Sequence, residues 1–221
     1  MRIIARSFSP RDLVAGHIAL DLINTVTARN SPEPIDWLDS YDRLVEWSRL
    51  ARVADATTLA ALDRMASVHA RQALARIKVF REALYSVCHA LFRAETVPKA
   101  ALDQVESIWK QALERAKLVP ARKQVGISIE PARGLDLILD EIAMKAIEFL
   151  RHLPSGRARI CPGERCGWLF VDSSKGGQRV WCDMATCGNV AKSRRHQAAL
   201  RRGRRRTRPS AETRRKKPAP E

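Results

Sequence analysis

Two matched pairs of cysteines constrain this chain more than any other feature. Cys161 and Cys166 form one C-x4-C pair, Cys182 and Cys187 form another, and fifteen residues lie between them. Each pair can wrap two thiolates around one tetrahedral ion, so the array is close to zinc-site spacing. In a reducing compartment, thiols clustered in this way read as metal ligands rather than disulfides. All four positions are thiolate and none is left for water. The expected cofactor is therefore one structural Zn2+ held by Cys161, Cys166, Cys182 and Cys187. A module this small buries too little to fold unaided, so metal binding supplies its folding free energy, on the order of 10 kcal/mol or more. The N-terminal region is expected to stay folded when that metal is lost. The fifth cysteine, Cys88, lies on an apolar helical stripe and is expected to fill core.

The segment after the last cysteine sets the expected use. The run GNVAKSRRHQAALRRGRRR is compatible with a helix and dense in positive charge. The 221 residues carry a net charge of +16. Residues 1–150 nevertheless hold 21 Lys+Arg against 19 Asp+Glu, whereas residues 188–221 hold 13 against two. The basicity is local, and an anionic polymer is its natural partner. Helix phase offers Lys192, Arg195 and Gln197 as readers of base edges, with Arg194 joining them or gripping the backbone. Arg201, Arg202, Arg204, Arg205 and Arg206 are expected on phosphates, which carry no base information. His196 is expected exposed or facing phosphate. DNA is the preferred partner. RNA or ribosome binding is the alternative, as is a redox-responsive interaction protein whose thiolates release zinc on oxidation.

Between the cysteine pairs the sequence outlines a hairpin. Trp168–Asp172 form the expected outgoing strand, Ser173–Gly177 the turn, and Arg179, Val180 and Trp181 the return to Cys182. Trp168 and Trp181 either cap the small core beside the metal or stack on bases. Knuckle, hairpin, second knuckle and helix is the order of a treble-clef finger, with the last ligands at a helix N-terminus.

The rest of the chain predicts helices around a small strand element. GHIALDLINTV is consistent with a buried helix or a short strand. Trp37, Leu38, Tyr41, Leu44, Val45 and Leu50 recur at helical steps. The clearest helix carries Leu74, Ile77, Arg81, Leu84, Cys88 and Leu91 on one stripe. Pro98 opens the next, running roughly to Lys117. Val125, Ile127 and Ile129 alternate as one or two short strands, and GLDLILDEIAMKAIEFLRHL is a further helix ending at Pro154-Ser155-Gly156. The expected class is α+β: a mostly helical domain over residues 1–155, a treble-clef zinc finger over 157–202, and a disordered polybasic tail over 203–221.

CGWLFVDSSKGGQRVWCDMATCGNVAKSRRH resembles the zinc finger of the CGNR family, and GHIALDLINTV resembles the opening of the ABATE domain that precedes it in those bacterial proteins. The resemblance implies a treble-clef finger on an unusual helix-rich α+β domain and a role in stress-related transcription regulation. Cys187, Gly188 and Asn189 match the name-giving motif, but Val190 stands where the motif has arginine.

Enzymatic chemistry has no support: no phosphate-cradling glycine loop or nucleophile elbow is present. Asp21, Asn24 and Thr25 make a polar cluster in an apolar segment. Asp21 and Asn24 are candidate contacts for a small-molecule effector, with a hydrogen-bonding role inside the core as the plainer reading. Self-association is a further expectation for the N-terminal domain. No apolar run approaches the roughly 20 residues that span a bilayer, and Arg6 and Pro10 interrupt any signal-peptide core. No membrane partner and a cytoplasmic location are the expectation.

Overall fold

The computed structural model describes residues 6–63, 68–129 and 131–206, with side chains except those of 63, 68, 131–133 and 202–206. These residues are mostly helical, and among them lie three small antiparallel strand pairs. The GHIALDLINTV segment resolves into both readings in turn. A short helix, α1 (Ile18–Ile23), is capped by His17, whose Nδ1 accepts from the Ala19 N–H, and it is followed by strand β1 (Val26–Thr27). Strand β1 pairs with β2 (Ile35–Asp36), Val26 opposite Asp36.

Helix α2 (Tyr41–Leu50) starts where Ser40 accepts from the Arg43 N–H, so Trp37 and Leu38 stand before it rather than on its stripe. Trp37 instead donates its Nε1–H to Thr27 Oγ1 at 2.9 Å. The cap decides the boundary because it satisfies a donor that the helix start would otherwise leave free. Helices α3 (Ala56–Asp63) and α4 (Val68–Phe92) follow. Pro98 is the N-cap of α5 (Lys99–Glu114), which stops short of Lys117 because the chain turns into strand β3 (Ala116–Ala121). Strand β3 pairs with β4 (Gln124–Ile129) across an Arg122-Lys123 turn, with Arg122 at φ 45°. Helix α6 (Leu137–Arg151) closes the N-terminal body.

Helix α4 lies at the centre, packed on α5, α1, α2 and α6. Its stripe buries Ile77, Leu84 and Cys88 as expected, and burial pushes the Cys88 thiol up to about 12. Arg81 shares that stripe and is also buried. Its guanidinium holds both Asp36 carboxylate oxygens at 2.8 and 2.9 Å and Thr25 Oγ1 at 3.0 Å. A buried charge must be paired, and this pairing ties α4 to β2. Burial opposes ionisation of Asp36, but Arg81 outweighs it and holds that carboxyl below its ordinary range. No described helix is long and apolar enough to cross a membrane.

After Pro154 the chain forms β5 (Ala158–Ile160), which pairs with β6 (Leu169–Val171), Ala158 opposite Val171. This corrects the expected hairpin. The outgoing strand pairs with residues before Cys161, and residues 179–181 form no strand. The reason is Asp172. Its carboxylate accepts from the Ser174 N–H and hydroxyl and from the Arg179 N–H, so a side chain rather than a strand ladder closes the returning loop. Helix α7 (Asn189–Arg206) ends the described chain. It runs past the expected tail boundary after Arg202, and the rest of that tail, residues 207–221, lies outside the described residues.

Candidate metal centre

Each cysteine pair closes a compact knuckle. In the first, the Cys166 N–H donates to Gly163 O at 2.8 Å, and a Cβ at Gly163 would come within 2.9 Å of Cys166 Cβ and 3.2 Å of Cys187 Sγ. Glycine is needed there because the backbone itself passes beside the sulfurs. In the second, Asp183 accepts from the Ala185 N–H and starts a wide turn, Met184–Gly188, that delivers Cys187 directly into α7.

The four Sγ atoms lie within 4.8 Å of one another, and Cys182 Sγ is 3.6 Å from both Cys166 Sγ and Cys187 Sγ. Thiolates at about 2.3 Å from one tetrahedral zinc would stand about 3.8 Å apart, so the donor set fits that ion. The backbone is aimed accordingly. N–H groups of Gly163 and Cys182 point at Cys161 Sγ, and that of Trp168 points at Cys166 Sγ. With thiols alone, hydrogen bonds from Cys166 and Cys182 hold Cys161 far below the ordinary thiol range. The same contacts push Cys166 and Cys182 above it, while burial raises Cys187. Four sulfurs this close ionise together only when a divalent cation offsets their charge. Cys161 and Cys182 are buried and Cys166 and Cys187 partly so.

Two family models match most of the chain. A family model named ABATE and described as "Putative stress-induced transcription regulator" matches residues 16–152, and one for the CGNR zinc finger matches residues 157–199. The chain belongs to the ABATE family. Among curated proteins none matches it. The cofactor that the four clustered cysteines of its CGNR finger fit is one structural zinc ion.

The CGNR finger is built onto the ABATE domain rather than tethered to it. Leu169, Phe170, Cys161 and Cys182 belong to the same buried cluster as Leu20, Ile23 and Phe80. The Val171 N–H donates to Ala15 O, the Arg29 N–H to Cys166 O, and Trp168 Nε1–H to Val26 O. Arg179, to which the sequence assigned no role beyond the returning strand, acts as a clasp. Its guanidinium lies over the Phe170 ring at 4.4 Å and donates to Val14 O, Trp181 O and Cys182 O. Its only sequence signal was a basic residue just before a metal ligand.

Asp21 and Asn24 are both brought to this junction. Asn24 spends its side-chain amide on the backbone of Leu169, and Asp21 Oδ1 accepts from the Ala15 N–H at 2.9 Å. Both are buried with these hydrogen bonds made. Burial pushes the Asp21 carboxyl up to about 7, against the pull of the Ala15 N–H and of Arg179 nearby.

Along α7, every described residue from Lys192 to Arg201 is exposed, His196 included. Helical spacing separates the expected base readers. Lys192 and Arg195 stand one turn apart on one face, whereas Gln197 shares the opposite face with Arg194 and Arg201. The Arg194 guanidinium is paired with Glu164 of the first knuckle. The backbone of Arg202, Arg204, Arg205 and Arg206 continues the helix, and their side chains lie outside the described ones.

Proposed function

We propose that this ABATE-family protein is a DNA-binding transcription regulator acting in the cytoplasm, with α7 as its nucleic-acid element. One observation carries the reading: α7 leaves the zinc knuckle with no packed face between Lys192 and Arg201, the last residue whose side chain is described, while bearing Lys192, Arg194, Arg195 and Arg201. An isolated helix that is polar all round has little to stabilise it in water. A polyanion laid along it would neutralise the charge density and give the exposed side chains partners. The knuckle, strand, knuckle and helix order is that of a treble-clef finger, and anchoring at Cys187 gives α7 the fixed orientation that base reading requires.

The ABATE domain is the sensing or oligomerising part. The β3–β4 hairpin supports self-association, since Leu118, Val125 and Ile127 are exposed on it and two strands alone are marginal in water.

The test is competition binding of cognate and scrambled duplexes, selected from nucleic acid crosslinked to the zinc-loaded chain. Lys192→Ala with Arg195→Ala should weaken binding to the cognate site more than to scrambled DNA. Equal loss on both would make α7 a phosphate clamp, and tighter binding to structured RNA at matched salt would replace the DNA reading.

A further inference from the structure

Beside the metal centre lies a cleft of about 580 Å³ between the ABATE loop after β1, the first knuckle and the opening turns of α7. Ala28, Trp168, Trp181 and Val190 supply its apolar walls, and Glu164 and Arg194 stand at it as an ion pair. The volume suits a small organic molecule, and a zinc ion seated among the sulfurs would occupy only a small part of it. Ala28 holds a left-handed backbone at φ 55° in this wall, a conformation that costs a non-glycine residue energy. The position that the family motif gives to arginine is here Val190, so the chain's own departure from its motif makes this part of the wall apolar.

The charge around the cleft selects the kind of occupant. Four thiolates on one divalent ion carry a net −2, Glu164 adds a carboxylate, and indole faces attract cations. Arg165 also lines the cleft and Arg194 is already spent on Glu164; with both counted, the thiolate centre still leaves the surround formally at about −1, so an anion bound there would face the thiolates. The Glu164–Arg194 side chains are 70% and 54% exposed, so the pair is weak and open to competition.

We propose that this cleft binds a flat hydrophobic organic cation, an aromatic amine or quaternary ammonium, whose charged nitrogen takes Arg194's place on Glu164. The aromatic body packs against Trp168 and Trp181. Displacement releases Arg194, so ligand and DNA strengthen each other's binding; this coupling rests on the DNA reading above, whereas ligand binding does not.

The experiment uses the zinc-loaded full chain and three probes of one shape: 1-naphthylmethylammonium, 1-naphthylmethanol and 1-naphthylacetate. Calorimetry at fixed salt, with the Trp168 and Trp181 indole NMR signals as locators, should show the cation binding at least tenfold tighter than the alcohol and the carboxylate weakest. Glu164→Gln should bring the cation to within about twofold of the alcohol. Val190→Arg, which places a guanidinium in the cleft, should abolish cation binding while zinc content stays at one per chain. The proposal is overturned if the carboxylate or the alcohol binds best, if no probe binds, or if Val190→Arg binds the cation unchanged. In a separate arm the ammonium probe should raise duplex affinity severalfold in the parent chain and leave Glu164→Gln unmoved. A chain that binds no duplex would sink the DNA reading while the calorimetry still decides the cleft.

Discussion

Asn24 and Leu169, 145 residues apart in sequence, are joined by both ends of one side-chain amide: Asn24 Nδ2 donates to Leu169 O at 2.9 Å, and Oδ1 accepts from the Leu169 N–H at 3.1 Å. The amide imitates a strand edge for the outer side of β6. Through it the C-terminal end of α1 holds the strand that comes after the first zinc knuckle.

Asn24→Ala should therefore loosen the finger from the ABATE domain. It leaves a buried N–H and C=O of Leu169 without partners, a loss of about 2–4 kcal/mol. Urea unfolding should show that loss in the midpoint. Asn24→Asp should cost more, because an ionised carboxylate would face the Leu169 carbonyl. Equal stability of Asn24→Ala and the parent would dismiss the clamp.

Zinc removal should be felt beyond the finger. Cys182→Ser should leave the chain without bound zinc, where elemental analysis of the parent finds one per chain. Because Leu169 and Phe170 share the ABATE core, the variant should also lower the thermal midpoint of the ABATE helices by several degrees. An unchanged midpoint would mean that the ABATE domain folds independently, as the sequence alone suggested.

The Arg81–Asp36 pair should be costly to break from either side. Asp36→Ala leaves the buried Arg81 guanidinium only Thr25 and the half-exposed Glu82, which its Nε–H reaches at 2.8 Å, and should destabilise the chain by about 3 kcal/mol, read from chemical denaturation. A loss under about 1 kcal/mol would show that Thr25 and Glu82 suffice as partners for Arg81.

Asp21 should make stability fall as pH rises. Its folded carboxyl titrates near pH 7, against about 4 when unfolded, so the folded state binds the proton more tightly. Its contribution is fully present below about pH 4 and is lost progressively up to about pH 7. Asp21→Asn should flatten this dependence and leave the variant more stable than the parent at pH 8. Parallel stability curves for the two proteins between pH 4 and 8 would exclude an elevated Asp21.

Glu164 should restrain DNA binding. Glu164→Gln frees Arg194 and should raise duplex affinity severalfold at low salt, with a steeper salt slope by about one phosphate contact. Filter binding over a salt series measures both, and an unchanged slope would show that Arg194 faces no phosphate.

The sequence by itself determined the metal centre, the place of the basic helix and most helical segments. Those are local properties. C-x4-C spacing brings two sulfurs together whatever surrounds it, and the Ile77–Leu84–Cys88 stripe repeats with the helix turn. It also placed Arg81 on that stripe, but the reason a cation could be buried there is Asp36, 45 residues away. Only the tertiary structure decided the strand partner of Leu169–Val171, because Asp172 closes the following loop with its side chain and leaves Ala158–Ile160 to fill the edge. It alone decided that Asn24 and Arg179 lock the finger to the ABATE domain, and that Val190, Glu164 and Arg194 meet around one cleft. Each of these depends on hydrogen bonds and charges between residues that the chain separates and packing brings together, and no spacing within the sequence encodes such a meeting.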